Sequence, residues 1–193
     1  MEKSVGKKLN TSVFISGRGS NLKSLIKYSK IKKAKIKIKL IISDNSLARG
    51  LISAKQNKIK PLIVDYKNKK LTEKKILLAL KKNNINLICL AGYMKILSSQ
   101  FIKKFKHPIL NIHPSLLPKY KGLDTHRRVL KSKDKFTGAT VHLVNAKLDA
   151  GKTILLKKII VFKKDTEKSL AKRVLKIEHK LYPAALEKFL KNY

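Results

Sequence analysis

Residues 12–26, SVFISGRGSNLKSLI, contain the pattern that decides the fold of this chain. Three apolar residues between two serines are typical of a buried strand. The small residues GRGSN at 17–21 follow, and Leu22, Leu25 and Ile26 then recur at helical spacing. The stretch predicts a strand, a tight loop and a helix in succession.

The same alternation continues to the end of the chain. Further strands are predicted at 36–42, 61–64, 87–91, 109–112, 137–144 and 154–161, and helices at 48–57, from Thr72, at 98–105, at 125–131 and from about Thr166. Thr72 is expected to cap its helix and Pro183 to kink or break the last one. Alternating strands and helices predict an α/β fold, a Rossmann-like, doubly wound, mostly parallel sheet with helices on both faces. In such sheets ligands bind beyond the carboxyl ends of the strands.

Bulk properties narrow the class of protein. The length of 193 residues fits a single domain, 1–193, with residues 1–11 expected to form a flexible N-terminal extension. Cys89 is the only cysteine, which favours a reducing compartment, and no apolar run approaches the length of a membrane span. The start lacks the apolar core of a signal peptide, so we expect a cytoplasmic protein without membrane attachment.

The chain is strongly basic. Lysine and arginine number 47 against 11 acids, a formal net charge of +36. Only five of the cations are arginines, the residue that nucleic-acid readers favour, and the lysines are spread along the chain without an aromatic series. We therefore expect nucleic-acid binding only as a nonspecific consequence of charge, and attraction of small anions.

The GRGSN loop allows two interpretations. Leu22 occupies the position of the third glycine of a dinucleotide fingerprint, so that motif is absent. Backbone amides at a helix N-terminus suit one phosphate monoester. A tight turn with Ser20 or Asn21 as helix cap explains the same residues equally well.

A second polar motif, NIHPSLLPKYKG at 111–122, follows an apolar run. Asn111 and His113 lie on the same side of a strand by its period of two. Such a pair can stabilise a developing oxyanion, with asparagine as a fixed donor and histidine as donor or proton source. A hydrogen-bonded core histidine is the alternative.

Five segments in this order carry a resemblance to a known family. They are VFISGRGSNLKSLI (13–26), LICLAGYMKILS (87–98), NIHPSLLPKYKGLDTH (111–126), TGATVHLVNAKLDAGKTIL (137–155) and IEHKLYP (177–183). From about Ser12 to Leu190 the chain resembles phosphoribosylglycinamide formyltransferase, the folate-dependent family of purine synthesis. The resemblance implies an enzyme that transfers a formyl group from the co-substrate 10-formyltetrahydrofolate to the amine of glycinamide ribonucleotide.

The resemblance also implies site residues. The catalytic trio would be Asn111, His113 and Asp149. The ribonucleotide would be held by Gly19, Ser20, Asn21 and Glu178. The folate would contact Lys69, Met94, Lys95, Ile96, Leu97, Asn111, Asn145, Ala146, Lys147, Leu148 and Asp149. Asp149 would favour the imidazolium form of His113, against the positive field of the chain.

Two positions depart from the family pattern. Ala150 stands where glycine is common, and it would strain the loop if that position needs a positive φ. Lys69 stands where an arginine contacts folate, and lysine lacks the planar fork.

Three other functions are compatible with parts of the pattern. A formyltransferase acting on initiator methionyl-tRNA carries a further C-terminal domain and alanine in place of Pro114, and a formyltetrahydrofolate hydrolase usually has an added N-terminal domain. A basic nucleic-acid-binding protein on the same scaffold would show no turnover. The five histidines have no metal-ligand spacing, so we expect no metal requirement, and the oligomer is expected to be a monomer or homodimer.

Overall fold

The computed structural model describes residues 8–191, which form two compact units divided between Ile109 and Leu110. Every predicted strand and helix is present, with bounds shifted by a few residues. The elements up to the division are β1 (Leu9–Ile15), α1 (Ser20–Ser29), β2 (Ile36–Ser43), α2 (Gly50–Gln56), β3 (Lys60–Ile63), α3 (Lys69–Lys82), β4 (Leu87–Leu90) and α4 (Ser99–Phe105). From the division onward they are β5 (Ile109–His113), α5 (Thr125–Lys131), β6 (Phe136–Leu143), β7 (Thr153–Ile160) and α6 (Glu167–Lys191).

The first unit contains parallel strands in the order β3-β2-β1-β4. The chain runs outward from β1 to β3 and then returns to the other side of β1 to form β4. This reversal is the double winding that the sequence predicts, and the α/β class with mostly parallel strand pairing is confirmed. The reversal places a topological switch point between the carboxyl ends of β1 and β4.

Lysines of the first unit are compatible with a buried sheet because they follow the strand period. In β2, Ile36, Ile38 and Leu40 are buried, whereas Lys37 and Lys39 between them are exposed. Successive side chains of a strand point to opposite faces. The lysine excess therefore adds charge to the surface without placing it in the core.

The second unit is built on antiparallel strands. β6 pairs with β5 on one side and with β7 on the other, and α6 packs on β6 and β7. Leu170, Val174 and Leu181 form part of the buried stripe of α6, as predicted. Tyr182 adds a polar anchor, since its hydroxyl donates to the Leu110 carbonyl at 3.0 Å.

Three expectations about helix and chain ends are corrected in whole or in part. Thr72 lies inside α3 and donates to the Asp65 carbonyl, whereas Asn68 caps the helix by accepting from the Leu71 N–H at 3.1 Å. Of the two outcomes predicted at Pro183, the break is absent, since α6 continues to Lys191 because packing of its buried stripe outweighs one lost hydrogen bond. The kink stays a prediction. Residues 9–11 belong to β1 and not to a flexible extension, while residues 1–7 lie outside the described part.

Carboxylates organise two helix starts. Glu73 is buried in α3 and accepts from the Ser98 N–H at 2.8 Å, and Ser98 in turn caps α4 through the Phe101 N–H at 3.0 Å. Asp165 accepts from the Phe162 N–H at 2.9 Å and the Ser169 hydroxyl at 2.7 Å ahead of α6, and it pairs with Arg173. Each of these acids therefore satisfies several donors.

Replacing Gly138 with alanine is expected to destabilise the protein by about 3 kcal/mol, because the added methyl overpacks a closed site. A Cβ at this position would lie 1.9 Å from the Lys157 carbonyl oxygen and 2.8 Å from Leu116 Cδ2. Urea unfolding measures the change. Gly17→Ala is the matched control, since its Cβ would meet nothing within 4 Å. Equal unfolding midpoints for the two variants would contradict the close approach of β6 and β7.

Candidate active site

Asn111 and His113 are placed by one strand, as the period of two predicts. His113 is the last residue of β5, not the residue after it, and is 5% exposed. Asn111 pairs with His142 of β6, and His113 pairs with Thr140. The antiparallel partner strand therefore brings a second histidine beside the predicted pair.

Asp149 joins these two side chains. Its Oδ2 lies 3.4 Å from His113 Nδ1 and accepts from the Gly122 N–H at 2.9 Å. Its Oδ1 accepts from Asn111 Nδ2 at 3.4 Å. The three residues of the predicted trio are thus brought together around one buried carboxylate, although Asp149 lies on a loop far along the chain from β5.

The loop after β5 folds back onto His113. The Nε2 of His113 lies 2.8 Å from the Tyr120 carbonyl oxygen, which can only accept, so Nε2 carries a proton. With Nδ1 facing a carboxylate, both ring nitrogens face acceptors. Such surroundings orient the ring and suit the doubly protonated imidazolium.

Buried hydrogen bonds hold this loop in place. The Thr140 hydroxyl donates to the Ser115 carbonyl at 2.7 Å and accepts from the Leu117 N–H at 3.1 Å. The Ser115 hydroxyl donates to the Lys119 carbonyl at 2.6 Å. The Tyr120 carbonyl is therefore positioned by β6 and by the loop itself.

His142 is a neighbour with two possible partners. Its Nδ1 lies 2.8 Å from the Leu143 carbonyl oxygen and carries a proton. Its Nε2 lies 3.2 Å from Asn111 Nδ2 and 3.5 Å from Asp149 Oδ1. The neutral ring accepts from Asn111, whereas the charged ring donates to Asp149, so His142 positions the trio in either form.

Burial and charge act on His113 in opposite directions. Burial lowers the pKa of His113, and the Tyr120 carbonyl and the Asp149 carboxylate raise it by less, so the net pKa is lowered. The positive charges of His142 and Arg128 add to the lowering. The predicted effect of Asp149 is present in sign, but it does not lift the pKa of His113 above its ordinary value.

The pKa of Asp149 is lowered although its carboxyl group is buried. Burial alone would raise its pKa, but hydrogen bonds from His142 and the Gly122 N–H, with the charges of the two imidazoles, lower it overall. The carboxylate is therefore ionised at neutral pH and keeps a negative charge against His113.

The free energy of unfolding should decrease as the pH falls below about 6.5, the ordinary pKa of histidine. His113 has a lowered pKa in the folded protein, so the unfolded chain binds its proton first and stability is lost on acidification. The slope of the unfolding free energy against pH reports how many more protons the unfolded chain binds, and His113→Gln should reduce this number by up to about one. Urea unfolding between pH 5 and 8 measures it, and equal slopes for the two proteins would contradict the lowered pKa.

The loop at 145–151 closes without the strain expected at Ala150. Asp149, not Ala150, has the positive φ, 45°, and aspartate tolerates this conformation better than most residues. The glycine that the loop needs is Gly151, where a Cβ would lie 1.7 Å from the Leu143 carbonyl oxygen. Asn145 accepts from the Lys147 N–H at 3.0 Å, and Leu148 is exposed.

The first unit places the other predicted residues at its switch point. Gly19 has a φ of 70° just before α1, and a Cβ there would lie 2.5 Å from Gly50 Cα. Ser20 and Asn21 begin α1, whose first N–H groups have no partner within the helix. Neither side chain caps α1, so the cap interpretation of GRGSN is wrong and the geometry of an anion site remains.

The segment after β4 lies beside this loop. The Ser16 N–H donates to the Gly92 carbonyl at 3.1 Å, and the Met94 N–H donates to the Ser16 hydroxyl at 2.8 Å. Met94 and Ile96 expose large apolar side chains, whereas Leu97 is buried. The exposed pair suits an apolar ligand, while Leu97 contributes to the core.

Lys95 is held by neighbours that the sequence did not indicate. Its ammonium lies 3.8 Å from Asp44 Oδ2 and 5.8 Å from the centre of the Tyr66 ring. Asp44 also accepts from the Ser16 hydroxyl at 2.5 Å. The carboxylate thereby links the ends of β1 and β2 to the segment after β4.

Two predicted residues are described by their place in the fold. Lys69 is exposed at the first position of α3. Glu178 is buried in α6, 7% exposed. Residues 8–191 contain no group of three or more His, Cys, Asp or Glu side chains arranged to hold a metal ion. Across the same range no helix combines the length and apolar character of a membrane span.

Comparison with known proteins identifies the family. A model of the formyl transferase family matches residues 9–186. The chain belongs to the formyl transferase family.

Individual members of the formyl transferase family are similar over most of this chain. The human trifunctional purine biosynthetic protein adenosine-3 is 40% identical over 184 residues, which is 94% of this chain but 18% of that protein. The Escherichia coli (strain K12) phosphoribosylglycinamide formyltransferase is 38% identical and covers 94% of this chain and 87% of its own. The chain therefore spans about a fifth of the length of the trifunctional relatives.

Solved structures share the fold. A phosphoribosylglycinamide formyltransferase from Brucella melitensis has a TM-score of 0.90 and 42% identity, covering 95% of this chain and 96% of that one. The glycinamide ribonucleotide transformylase 1 from Symbiobacterium toebii has a TM-score of 0.92 and 34% identity, covering 97% and 90%.

Two main-chain groups of this candidate site were missed from sequence. The sequence placed His142 near the catalytic loop and left open whether it serves the site or the packing, and the register of β5 and β6 now pairs it with Asn111. Tyr120 and Gly122 contribute a main-chain carbonyl and a main-chain N–H, which side-chain identity does not reveal. Residue patterns predict helices and strands, but they do not predict which main-chain groups of the loops form hydrogen bonds with the site.

Proposed function

We propose that this formyl transferase transfers the formyl group of 10-formyltetrahydrofolate to the amine of glycinamide ribonucleotide, giving formylglycinamide ribonucleotide and tetrahydrofolate. The observation that carries the proposal is the contact of Asp149 with both Asn111 and His113. The names of the relatives, phosphoribosylglycinamide formyltransferases, support the same reaction.

In this reaction the amine attacks the formyl carbon and negative charge develops on the formyl oxygen. Asn111 and His113 present N–H donors from one strand end, and such fixed donors stabilise an oxyanion. The 3.4 Å contact from Asn111 Nδ2 to Asp149 is the weaker of its two contacts, so a formyl oxygen would replace it first. The amide would keep its orientation through His142.

His113 would supply charge and a proton. The imidazolium stabilises the developing oxyanion, and a proton must then reach the departing folate nitrogen, directly or through water. The Tyr120 carbonyl shares the Nε2 proton in the resting arrangement, so a bound substrate competes with that carbonyl. Asp149 favours the charged ring and fixes its orientation.

The substrates would be divided between two kinds of surface. The N-terminus of α1 at Gly19, Ser20 and Asn21 suits the ribonucleotide phosphate, and we assign Glu178 to the ribonucleotide. Met94, Lys95, Ile96 and the loop 145–149 would contact the folate, with Lys69 near its acidic tail. Leu97 would shape this pocket from within the core.

The experiment is absorbance-monitored release of tetrahydrofolate, with and without glycinamide ribonucleotide, for the native chain and His113→Ala. Release that requires the ribonucleotide and is lost in the variant supports the proposal. Release without the ribonucleotide would identify a hydrolase. Absence of release, with steep salt-dependent DNA binding, would favour the basic binding protein.

Location and assembly are also proposed. We expect a cytoplasmic enzyme that works as a monomer or homodimer and needs no metal. Its net charge of +36 should draw both anionic substrates toward it and should bind nucleic acid only nonspecifically, so added salt weakens both attractions.

A further inference from the structure

One peptide group joins the candidate site to a charged side chain outside it. The Gly122 N–H donates to Asp149 Oδ2 at 2.9 Å, and the carbonyl of the same peptide, that of Lys121, accepts from the Arg128 guanidinium at 2.6 Å. A trans peptide is planar and directs its C=O and its N–H to opposite sides. This peptide therefore lies between a guanidinium group and the buried carboxylate.

Arg128 contacts the loop before α5 at three places. Besides the Lys121 carbonyl, its Nη1 atom donates to the Leu123 carbonyl at 3.3 Å, and its guanidinium carbon lies 5.4 Å from the centre of the Tyr120 ring. Arg128 belongs to α5, which begins at Thr125. The side chain therefore folds back from the helix onto the loop that precedes it.

The backbone of this loop needs support from outside. Tyr120, Gly122 and Asp124 have φ values of 56°, 77° and 55°, in the left-handed region. For a bulky residue such as Tyr120 this conformation is an outlier, which persists only where the surroundings impose it. Contacts with side chains beyond the loop must therefore fix its shape.

Two neighbouring peptides of the loop have different supports. Tyr120 is anchored through its hydroxyl, which donates to Asp134 at 2.8 Å. Among residues 8–191, by contrast, Arg128 is the one donor that reaches the Lys121 carbonyl. Loss of the arginine should therefore release the peptide that contacts the carboxylate and leave the Tyr120 carbonyl in place.

The charge of the guanidinium also affects this peptide. A hydrogen bond from a charged donor to a carbonyl polarises the peptide and strengthens the bond that its N–H donates. The Gly122 N–H is one of the groups that lower the pKa of Asp149. Arg128 thus supports the ionised form of Asp149 through the peptide.

We propose that Arg128 is a positioning residue, which holds the peptide between Lys121 and Gly122 against Asp149 and so keeps this carboxylate in place beside His113. The role in catalysis rests on the proposed formyl transfer, whereas the hold on the Gly122 N–H does not. Lysine, the common cation of this chain, lacks the planar guanidinium that makes these contacts.

Amide hydrogen exchange at Gly122, followed by NMR without substrates, tests the hold on the peptide. In Arg128→Met the exchange should be about tenfold faster, the value of one hydrogen bond to a charged group. Methionine keeps an unbranched stem beside Tyr120 and favours the helix, so the variant should fold. Equal exchange in the native chain and in Arg128→Met would overturn the proposal.

Arg127→Met is the matched control for this variant. Arg127 is the neighbouring arginine of α5 and pairs with Asp124 at 2.7 Å. Its replacement removes the same charge and should leave exchange at Gly122 within about twofold. Equally fast exchange in both variants would show that net charge, and not the contact with the Lys121 carbonyl, protects this N–H, and would overturn the proposal.

Steady-state kinetics test the consequence for catalysis. Arg128→Met should lower kcat about tenfold with smaller changes in either KM, because the charged His113 ring acts on charge that develops in the transition state. Arg128→Lys keeps a charged donor and should restore part of both kcat and the protection of Gly122. Packing of the stem cannot explain such a recovery, because methionine keeps the stem as well.

The two measurements distinguish this role from the proposed function. A native chain without formyl transfer would refute the proposed function, and faster exchange at Gly122 in Arg128→Met would still establish the hold on the peptide. Faster exchange with an unchanged kcat in an active enzyme would confine Arg128 to the structure of the loop and overturn its positioning role.

Discussion

Replacing His113 with glutamine should lower kcat/KM for formyl transfer by about 1,000-fold, the combined effect expected of a lost proton donor and a lost charge. Glutamine has an amide that can still donate to the Tyr120 carbonyl, so the loop after β5 should keep its place. Steady-state kinetics with both substrates varied would show the loss mainly in kcat, since the imidazolium acts on charge that develops in the transition state.

The matched control for this variant is His107→Gln. His107 is an exposed histidine whose ring contacts Phe105, and it belongs to no part of the proposed site. Its replacement should leave kcat/KM within about twofold. A His113→Gln enzyme that retained a tenth of the native activity would exclude His113 as the source of the proton and the charge.

Asp149→Asn should reduce kcat by about 100-fold and should also move the pH dependence of the reaction. Asp149 raises the pKa of His113, so its neutralisation lowers that pKa further. The active imidazolium is lost as the pH rises through this pKa, and in the variant the loss therefore occurs at lower pH. The rate of formyl transfer by both proteins, measured as a function of pH, gives the pH at which activity is lost on the alkaline side, here called the alkaline limb.

Asp124→Asn is a control of closely similar geometry. Asp124 has a φ of 55°, near the 45° of Asp149, but it is exposed and pairs with Arg127 at 2.7 Å. Asparagine accepts this backbone conformation, so the substitution removes the charge and its ion pair with Arg127 but keeps the backbone. A limb that moved equally in both variants would show that net charge, and not the Asp149 contact, sets the pKa of His113.

Elements of the fold were predictable from sequence where a pattern of residues reflects burial, and were not where the outcome depends on contacts with distant residues. Strand β4 was readable because four consecutive apolar residues are all buried, and β2 because its lysines alternate with isoleucines. The start of α3 was not readable, since both Asn68 and Thr72 are competent caps and the choice depends on where Asp65 lies. The break considered at Pro183 is absent because packing along α6 outweighs the local cost of a proline.

The side chains of the candidate site were predictable from sequence, but the backbone conformation that positions them was not. Asn111 and His113 were paired from the period of the strand, Asp149 was added through resemblance, and the fold brings Asp149 into contact with both. Strain at Ala150 was expected only if that position needs a positive φ, and it does not arise because the left-handed conformation falls one residue earlier, at Asp149. Backbone conformation at a single loop residue depends on closure of the whole loop, and no pattern of side chains specifies it.

The scarcity of acids has a consequence for how this sequence can change. The chain has 11 acidic residues. Asp44, Asp149 and Asp165 each hold donors from separate segments, and Glu73 holds two donors of Ser98. Lysines, in contrast, are numerous and largely solvated. Tolerance to substitution should therefore differ between the two charges. Most lysines can be replaced with little loss of stability, whereas replacement of one of these acids leaves several donors without an acceptor.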